Sequence, residues 1–252
     1  MLVMTYTDKV AIITGGGAGI GLAAAQLLAS KGAKVLITGR RTNVLDKIAA
    51  SHPDIEGFTA DASDPEAAAR TVAAAIERWG RLDIVINNAG SGAIQPLATA
   101  NAQAINDIFA VNVTAPTLLA AAALPYLEAS KGTIINISST FGSKAGAGLS
   151  LYSASKAAME QLTRCWALEL APKGIRVNAI ASGPVESDFL RERMGLSDEQ
   201  IAAVKEQEVQ AIPLGRRGVP DDVARWIVHL ADPEASWITG QVIPVDGGLT
   251  IA

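Results

Sequence analysis

The stretch VAIITGGGAGIGLAAAQLLASKG, Val10 to Gly32, decides the fold. Val10 to Ile13 is a continuous apolar run, the pattern of a strand covered on both faces, and the alanine-rich run after the glycines has helical composition. In the turn between them, Gly15 and Gly19 let the chain bend and approach an anion closely, and Gly21 permits tight packing of helix on strand. The helix start beside Ile20 offers free N–H groups and a partial positive charge, so the unit can seat a pyrophosphate. A structural turn without ligand is the alternative reading of the same residues. The Gly-Lys-Ser/Thr of a P-loop is absent.

Working outward, strand-like runs alternate with helical stretches: KVLIT, IEGFTA, LDIVIN, GTIINIS, IRVNAIA and QVIPVDG follow the first strand. Seven strands with near-continuous apolar centres, such as Ile84 to Ile86 and Ile134 to Ile137, predict a largely parallel sheet with right-handed crossovers. The expected fold is α/β, a doubly wound parallel seven-stranded sheet with helices on both faces. No Pro/Ser/Gly-rich linker divides the chain, so residues 1–252 are read as a single domain. Residues 187–214 read as a helical insertion between the last two strands, of a size that often covers a site.

Composition narrows the function classes. A net charge of about −4 and 18% charged residues, without long blocks of one sign, leave no nucleic-acid footprint. Cys165 is the sole cysteine, which excludes an internal disulfide and a zinc cluster; it is expected to be a packed, inert thiol in a reducing compartment. His52 and His229 are too isolated to suggest a metal. Trp79, Trp166, Trp226 and Trp237 are read as packing residues. The start MLVMTYTDKVAIIT lacks a basic leader, and no apolar run approaches membrane-spanning length, so a soluble cytoplasmic protein is expected.

The second strand ends Ile37-Thr38-Gly39-Arg40-Arg41, where dinucleotide folds discriminate the adenosine ribose. Gly39 supplies no carboxylate for ribose hydroxyls, whereas Arg40, with Arg41, offers a fork suited to a 2′-phosphate, which favours NADP(H) over NAD(H). Asp61, next to Ala62 at the end of the third strand, is placed to accept from the adenine amino group, or else opens the turn DASDP that starts a helix at Pro65.

In LYSASKAAME, Tyr152 and Lys156 are four apart and share a helix face. A phenol of pKa about 10 is a poor acid–base catalyst near neutrality unless a neighbouring ammonium stabilises its phenolate. Ser139 ends a strand thirteen residues upstream, at the sheet edge where ligands of such folds bind. The set TGGGAGIG, NNAG at Asn87 to Gly90, Asn112 in FAVNVT, Ser139, YSASK, VNAIASGPVES and PVDGG resembles, in order and spacing over essentially the whole chain, the short-chain dehydrogenase/reductase family. That resemblance implies hydride transfer between nicotinamide and a carbonyl carbon, with a catalytic tetrad at Asn112, Ser139, Tyr152 and Lys156. Tyr152 would exchange the proton, Ser139 polarise the substrate oxygen, Lys156 bind the nicotinamide ribose and tune Tyr152, and Asn112 hold a water of a proton relay. Asn88, Ala89 and Gly90 would line the cofactor channel, Ser187 would meet the carboxamide in place of the family's more usual threonine, and Pro184 and Val185 would also contact the cofactor.

Two departures stand out: Ser182-Gly183 replaces the family's common Pro-Gly, and Ala18 stands where many NADP users carry a basic residue. The substrate would be a ketone, aldehyde or secondary alcohol under an apolar lid of Phe189, Leu190, Met194, Leu196 and Ile201. Lys144 is read as a solvated loop residue, or as a partner for an acidic substrate group. Apolar residues on more than one face of the helices around ALPYL and SASKAAMEQLTRCWALEL, together with the family habit, point to a homotetramer.

Overall fold

The computed structural model describes residues 5–192 and 194–252. The first four residues of the stretch read for a leader, and Arg193 within the insertion, lie outside the described residues. Seven strands form one sheet: β1 (Val10–Thr14), β2 (Lys34–Gly39), β3 (Ile55–Thr59), β4 (Ile84–Asn87), β5 (Thr133–Ser139), β6 (Arg176–Ser182) and β7 (Val242–Val245). Their order is β3-β2-β1-β4-β5-β6-β7 and every pairing is parallel, the expected doubly wound arrangement.

Alternation along each strand sorts side chains into two layers. Ala11 and Ile13 of β1 face a cluster with Ala24 and Ala25 of α1 (Gly19–Ser30) and Ala224 and Ile227 of α9 (Pro220–Ala231), where small residues let the two helices approach closely. Val10 and Ile12 face the opposite cluster, made by α3 (Ala67–Trp79), α5 (Ala115–Ser130) and α6 (Ser150–Leu170). Covered on both faces, β5 is buried along its whole length. The remaining helices are α2 (Thr42–Ser51), α4 (Ala102–Phe109), α7 (Phe189–Glu192) and α8 (Asp198–Ala211).

The chain leaves β1 toward β2 on one side and returns to β4 on the other. The strand order therefore reverses at β1/β4, and a crevice opens over the carboxyl ends of these strands.

Four expectations need correction. Cys165 is exposed, because it lies on the outer face of α6. Trp226 and Trp237 are 46% and 98% exposed, so neither is a core packing residue. The helix after Asp61 begins at Ala67, not Pro65, because Asp64 takes the Glu66 N–H (3.0 Å) and holds that stretch as a turn. Finally, α4 and α5 join through a π-helical turn (Ala110–Thr114) into one helical column, Ala102–Ser130, long and apolar enough by length and composition to cross a bilayer. Its apolar side is used here against α3 and the sheet.

Candidate active site

A cavity of about 680 Å³ follows the carboxyl edge of the sheet from Arg40 and Asp61, past the glycine-rich turn, to Tyr152 and the insertion. Its phosphate end is shaped by backbone. Gly15 (φ +67°) and Gly19 (φ +56°) occupy the left-handed region that glycine adopts without strain. A Cβ on Gly21 would lie 2.5 Å from Asn88 Nδ2 and 2.6 Å from the Gly15 carbonyl oxygen, so Gly21 is the close-packing position the spacing predicts. Ala18, at the N-cap of α1, has no side-chain acceptor, and the first-turn amides of α1 remain available to an anion. This cradle, which a Cβ would fill, fits a dinucleotide pyrophosphate.

Gly16 was not singled out from the sequence, yet a Cβ there would come within 2.5 Å of Ile37 Cβ on β2. A glycine two residues past the strand was the available signal. Asn88 also does more than line the cleft. Its Nδ2 donates to the carbonyls of Thr14 (2.8 Å) and Gly15 (3.2 Å), while Thr14 Oγ1 accepts from the amides of Asn88 and Ala89 (both 3.0 Å). The two strand ends on either side of the crevice are thereby stitched together.

At the end of the cavity beside β2 and β3 Arg40 is exposed, and Arg41 pairs with Glu192 of α7 (2.8 Å). Asp61 Oδ1 accepts from the Ser63 amide (2.9 Å) and hydroxyl (2.8 Å), which hold its carboxyl below the usual range, with the Arg40 charge adding to the effect.

At the other end Ser139, Tyr152 and Lys156 converge on the cleft wall, all buried. Burial raises the Tyr152 phenol above its usual value, and the neighbouring Ser139 hydroxyl opposes that rise. Lys156 Nζ donates to the Ile137 carbonyl (2.8 Å) and lies 5.8 Å from the Tyr152 ring centroid; burial lowers it from 10.5 to about 8. The expected lowering of the phenol by the ammonium is not what this buried site shows. Both groups are pushed toward their neutral forms, because removal from water disfavours each charge.

Asn112 stands behind the wall, in the π-helical turn. Its Oδ1 accepts from the Ser91 amide (2.8 Å), and its Nδ2 donates to the Ser91 carbonyl and to Ser155 Oγ (both 2.9 Å). An amide has two donor and two acceptor positions, so a single acceptor position on Oδ1 stays open. A Cβ on Gly90 would sit between Lys156 Nζ (3.5 Å) and Asn112 Oδ1 (3.6 Å).

Ile20, Ala62, Ala89, Pro184, Val185 and Ser187 line the cavity, while Gly21 and Asn112 lie behind it. Of the anticipated lid, Phe189, Leu190 and Met194 reach the cleft; Leu196 and Ile201 do not. Phe189 approaches Tyr152 with ring centroids 6.4 Å apart, and Phe189 and Met194 fill the space over Gly92. Lys144 is neither solvated nor aimed at substrate: its Nζ donates to the carbonyls of Leu249 (2.9 Å) and Ala252 (2.5 Å).

Residues 15–250 match the family described as enoyl-(acyl carrier protein) reductase. A crystal structure of a Caenorhabditis elegans short-chain dehydrogenase/reductase with cofactor superimposes with a TM-score of 0.91 at 31% identity, covering 98% of this chain and 97% of that one. The chain belongs to the short-chain dehydrogenase/reductase family. Among its relatives in the family, an uncharacterised oxidoreductase of Mycobacterium tuberculosis is 41% identical over 249 residues, covering 96% of this chain and 92% of the relative. The 3-oxoacyl-[acyl-carrier-protein] reductase of Thermotoga maritima is 33% identical over 253 residues, with 98% and 100% covered. Versicolorin reductase 1 of Aspergillus parasiticus is 34% identical, with 95% of each chain covered. Two of these relatives are named for different substrates, and this chain covers at least 92% of each of the three.

Proposed function

We propose that this chain is a nicotinamide-dependent oxidoreductase that interconverts a ketone or aldehyde with an alcohol, NADP(H) being favoured over NAD(H). The observation that carries the reading is the convergence of Ser139, Tyr152 and Lys156 on one wall of the cleft whose far end is the glycine cradle of Gly15, Gly19 and Gly21. The names of the relatives, reductases and oxidoreductases, support it. Residues 1–252 then form one dinucleotide-binding domain, with 187–214 as the segment over the substrate.

When bound, the nicotinamide supplies or accepts the hydride; the residues do the rest. Turn amides and the start of α1 hold the pyrophosphate, and Arg40 faces a 2′-phosphate. Arg41 shares its charge with Glu192, which leaves Arg40 as the main discriminator. Tyr152 gives its proton to the carbonyl oxygen in reduction, and a phenol held protonated by burial is the form that can do so. Ser139 orients that oxygen, and Lys156 holds the ribose side of the site. Asn112 pins the Gly90–Ser91 loop to α6 and offers its open Oδ1 position to a relay water.

The substrate is expected to present an apolar surface beside Phe189 and Met194. Exposed Leu168 on α6 (82%) fits burial in a homotetramer. Loss of reduced-nicotinamide absorbance across a panel of ketones, aldehydes and diketones, with NADPH and NADH in parallel, tests the reading. Turnover abolished by Tyr152→Phe, and a preference for NADPH lost in Arg40→Ala, are the expected results. Turnover that survives Tyr152→Phe refutes the acid–base assignment.

A further inference from the structure

Helix α8 has no fully buried residue, and its inward face carries only half-buried Ile201 and Val204 beside Lys205 and Glu208, a thin apolar contact for a helix of this length. What it does have is charge directed at one buried group. The Arg217 side chain is 5% exposed, and its Nη1 pairs with Glu208 in the last turn of α8. The Nε atom contacts Glu186 Oε1 at 2.8 Å, and Nη2 donates to the Val185 carbonyl at 2.8 Å. A second tie runs from Lys205 of α8 to the other oxygen of Glu186 (2.5 Å). Backbone bonds complete the join, from Glu186 N to Gly218 O (2.8 Å) and from Gly218 N to Pro184 O (2.9 Å). One guanidinium thus hydrogen-bonds the strand-end segment 184–187 through Nη2, and its Nε and Nη1 lie in ion-pair contact with Glu186 and with Glu208 of α8 without forming aligned hydrogen bonds.

We infer that Arg217 is a positioning residue that makes the segment 184–187 and α8 one mechanical unit, so that the nicotinamide end and the substrate-side wall of the cleft are set together. This rests on the reading of Ser187 as the residue that meets the carboxamide, with Pro184 and Val185 in contact with the cofactor. The five donors and fixed plane of a guanidinium suit this three-way grip, and a lysine at the same place reaches fewer of the partners. Removing one partner of a buried ion pair strands the other's charge, but the Glu186 and Glu208 side chains are 42% and 22% exposed and can turn toward water. Loss of the grip therefore separates from loss of the fold.

The test is amide hydrogen exchange of the whole protein, with carbonyl reduction measured alongside, in the wild type, Arg217→Met, Arg217→Lys and Glu208→Gln. In Arg217→Met, exchange is expected to accelerate about tenfold in both 184–187 and 198–211 while the β5 amides and Tm stay near the wild type, with KM for carbonyl and cofactor raised more than kcat is lowered. Glu208→Gln should free 198–211 alone, and Arg217→Lys should restore part of the protection in 184–187. Wild-type-like exchange at 198–211 in Arg217→Met, or a uniform acceleration that includes β5, overturns the inference. A wild type that oxidises neither NADPH nor NADH sinks the redox reading instead, and the exchange pattern still decides the tether.

Discussion

Lys156→Met is expected to stabilise the folded protein near neutral pH while removing its turnover. Lys156 is buried, and its ammonium falls from 10.5 to about 8 for that reason. A shift of that size corresponds to about 3 kcal/mol of penalty when the folded chain carries the charge. The hydrogen bond to the Ile137 carbonyl offsets about 1 kcal/mol, so the Met variant should exceed the wild type by about 2 kcal/mol. The folded value lies below the unfolded one. Below pH 8 both states hold the proton and the penalty is complete; between pH 8 and 10.5 the folded chain has released it while the unfolded chain keeps it, so wild-type stability rises. The gap should close across that window, and the wild type should overtake by roughly the value of the hydrogen bond, about 1 kcal/mol. Urea unfolding of both proteins at about pH 7 and about pH 10 measures the difference, in which titrations common to both cancel. A Met variant less stable than the wild type at neutral pH, or a gap that does not change with pH, refutes the reasoning.

Two glycines should behave oppositely. Gly21→Ala drives a Cβ into Asn88 Nδ2 and the Gly15 carbonyl, and should lower stability by about 1–3 kcal/mol and weaken cofactor binding, as read by thermal melts and nicotinamide fluorescence. Gly90→Ala meets only ordinary contacts, so the melt should stay within about 0.5 kcal/mol while turnover drops through the methyl placed between Lys156 and Asn112. Ser139→Ala should cut kcat by about 10²–10³ with little change in cofactor affinity, because Ser139 lies on the cleft wall with Tyr152 and, in the proposed reaction, would orient the substrate oxygen. Comparable losses in both parameters would place Ser139 in cofactor binding instead.

The strands were legible because burial on both faces writes continuous β-branched runs, and GTIINIS and IRVNAIA fall within a residue of β5 and β6. Glycines at a strand–helix turn, and residues four apart on a helix, translate directly into geometry. Other features depend on who meets whom across the fold. Nothing near Arg217 in sequence announces Glu208 and Glu186 as its partners, and nothing near Lys144 announces the Leu249 carbonyl. The π-helical turn that aims Asn112 has no local composition signal, since it arises where α4 and α5 join in one column. Protonation was least legible: the tyrosine–lysine spacing is visible, but the burial that pushes both groups toward neutrality is a property of the packed site.

In the proposed reaction Tyr152 completes a hydride transfer at the cleft wall. NADPH and NADH carrying deuterium at C4 of the nicotinamide, incubated with the best carbonyl of the panel and analysed by mass spectrometry and NMR, test it most directly. One deuterium is expected on the carbinol carbon, from one face of the nicotinamide only, and no labelled alcohol is expected with Tyr152→Phe. A product alcohol with no label, or label transferred equally well by Tyr152→Phe, contradicts the proposed reaction.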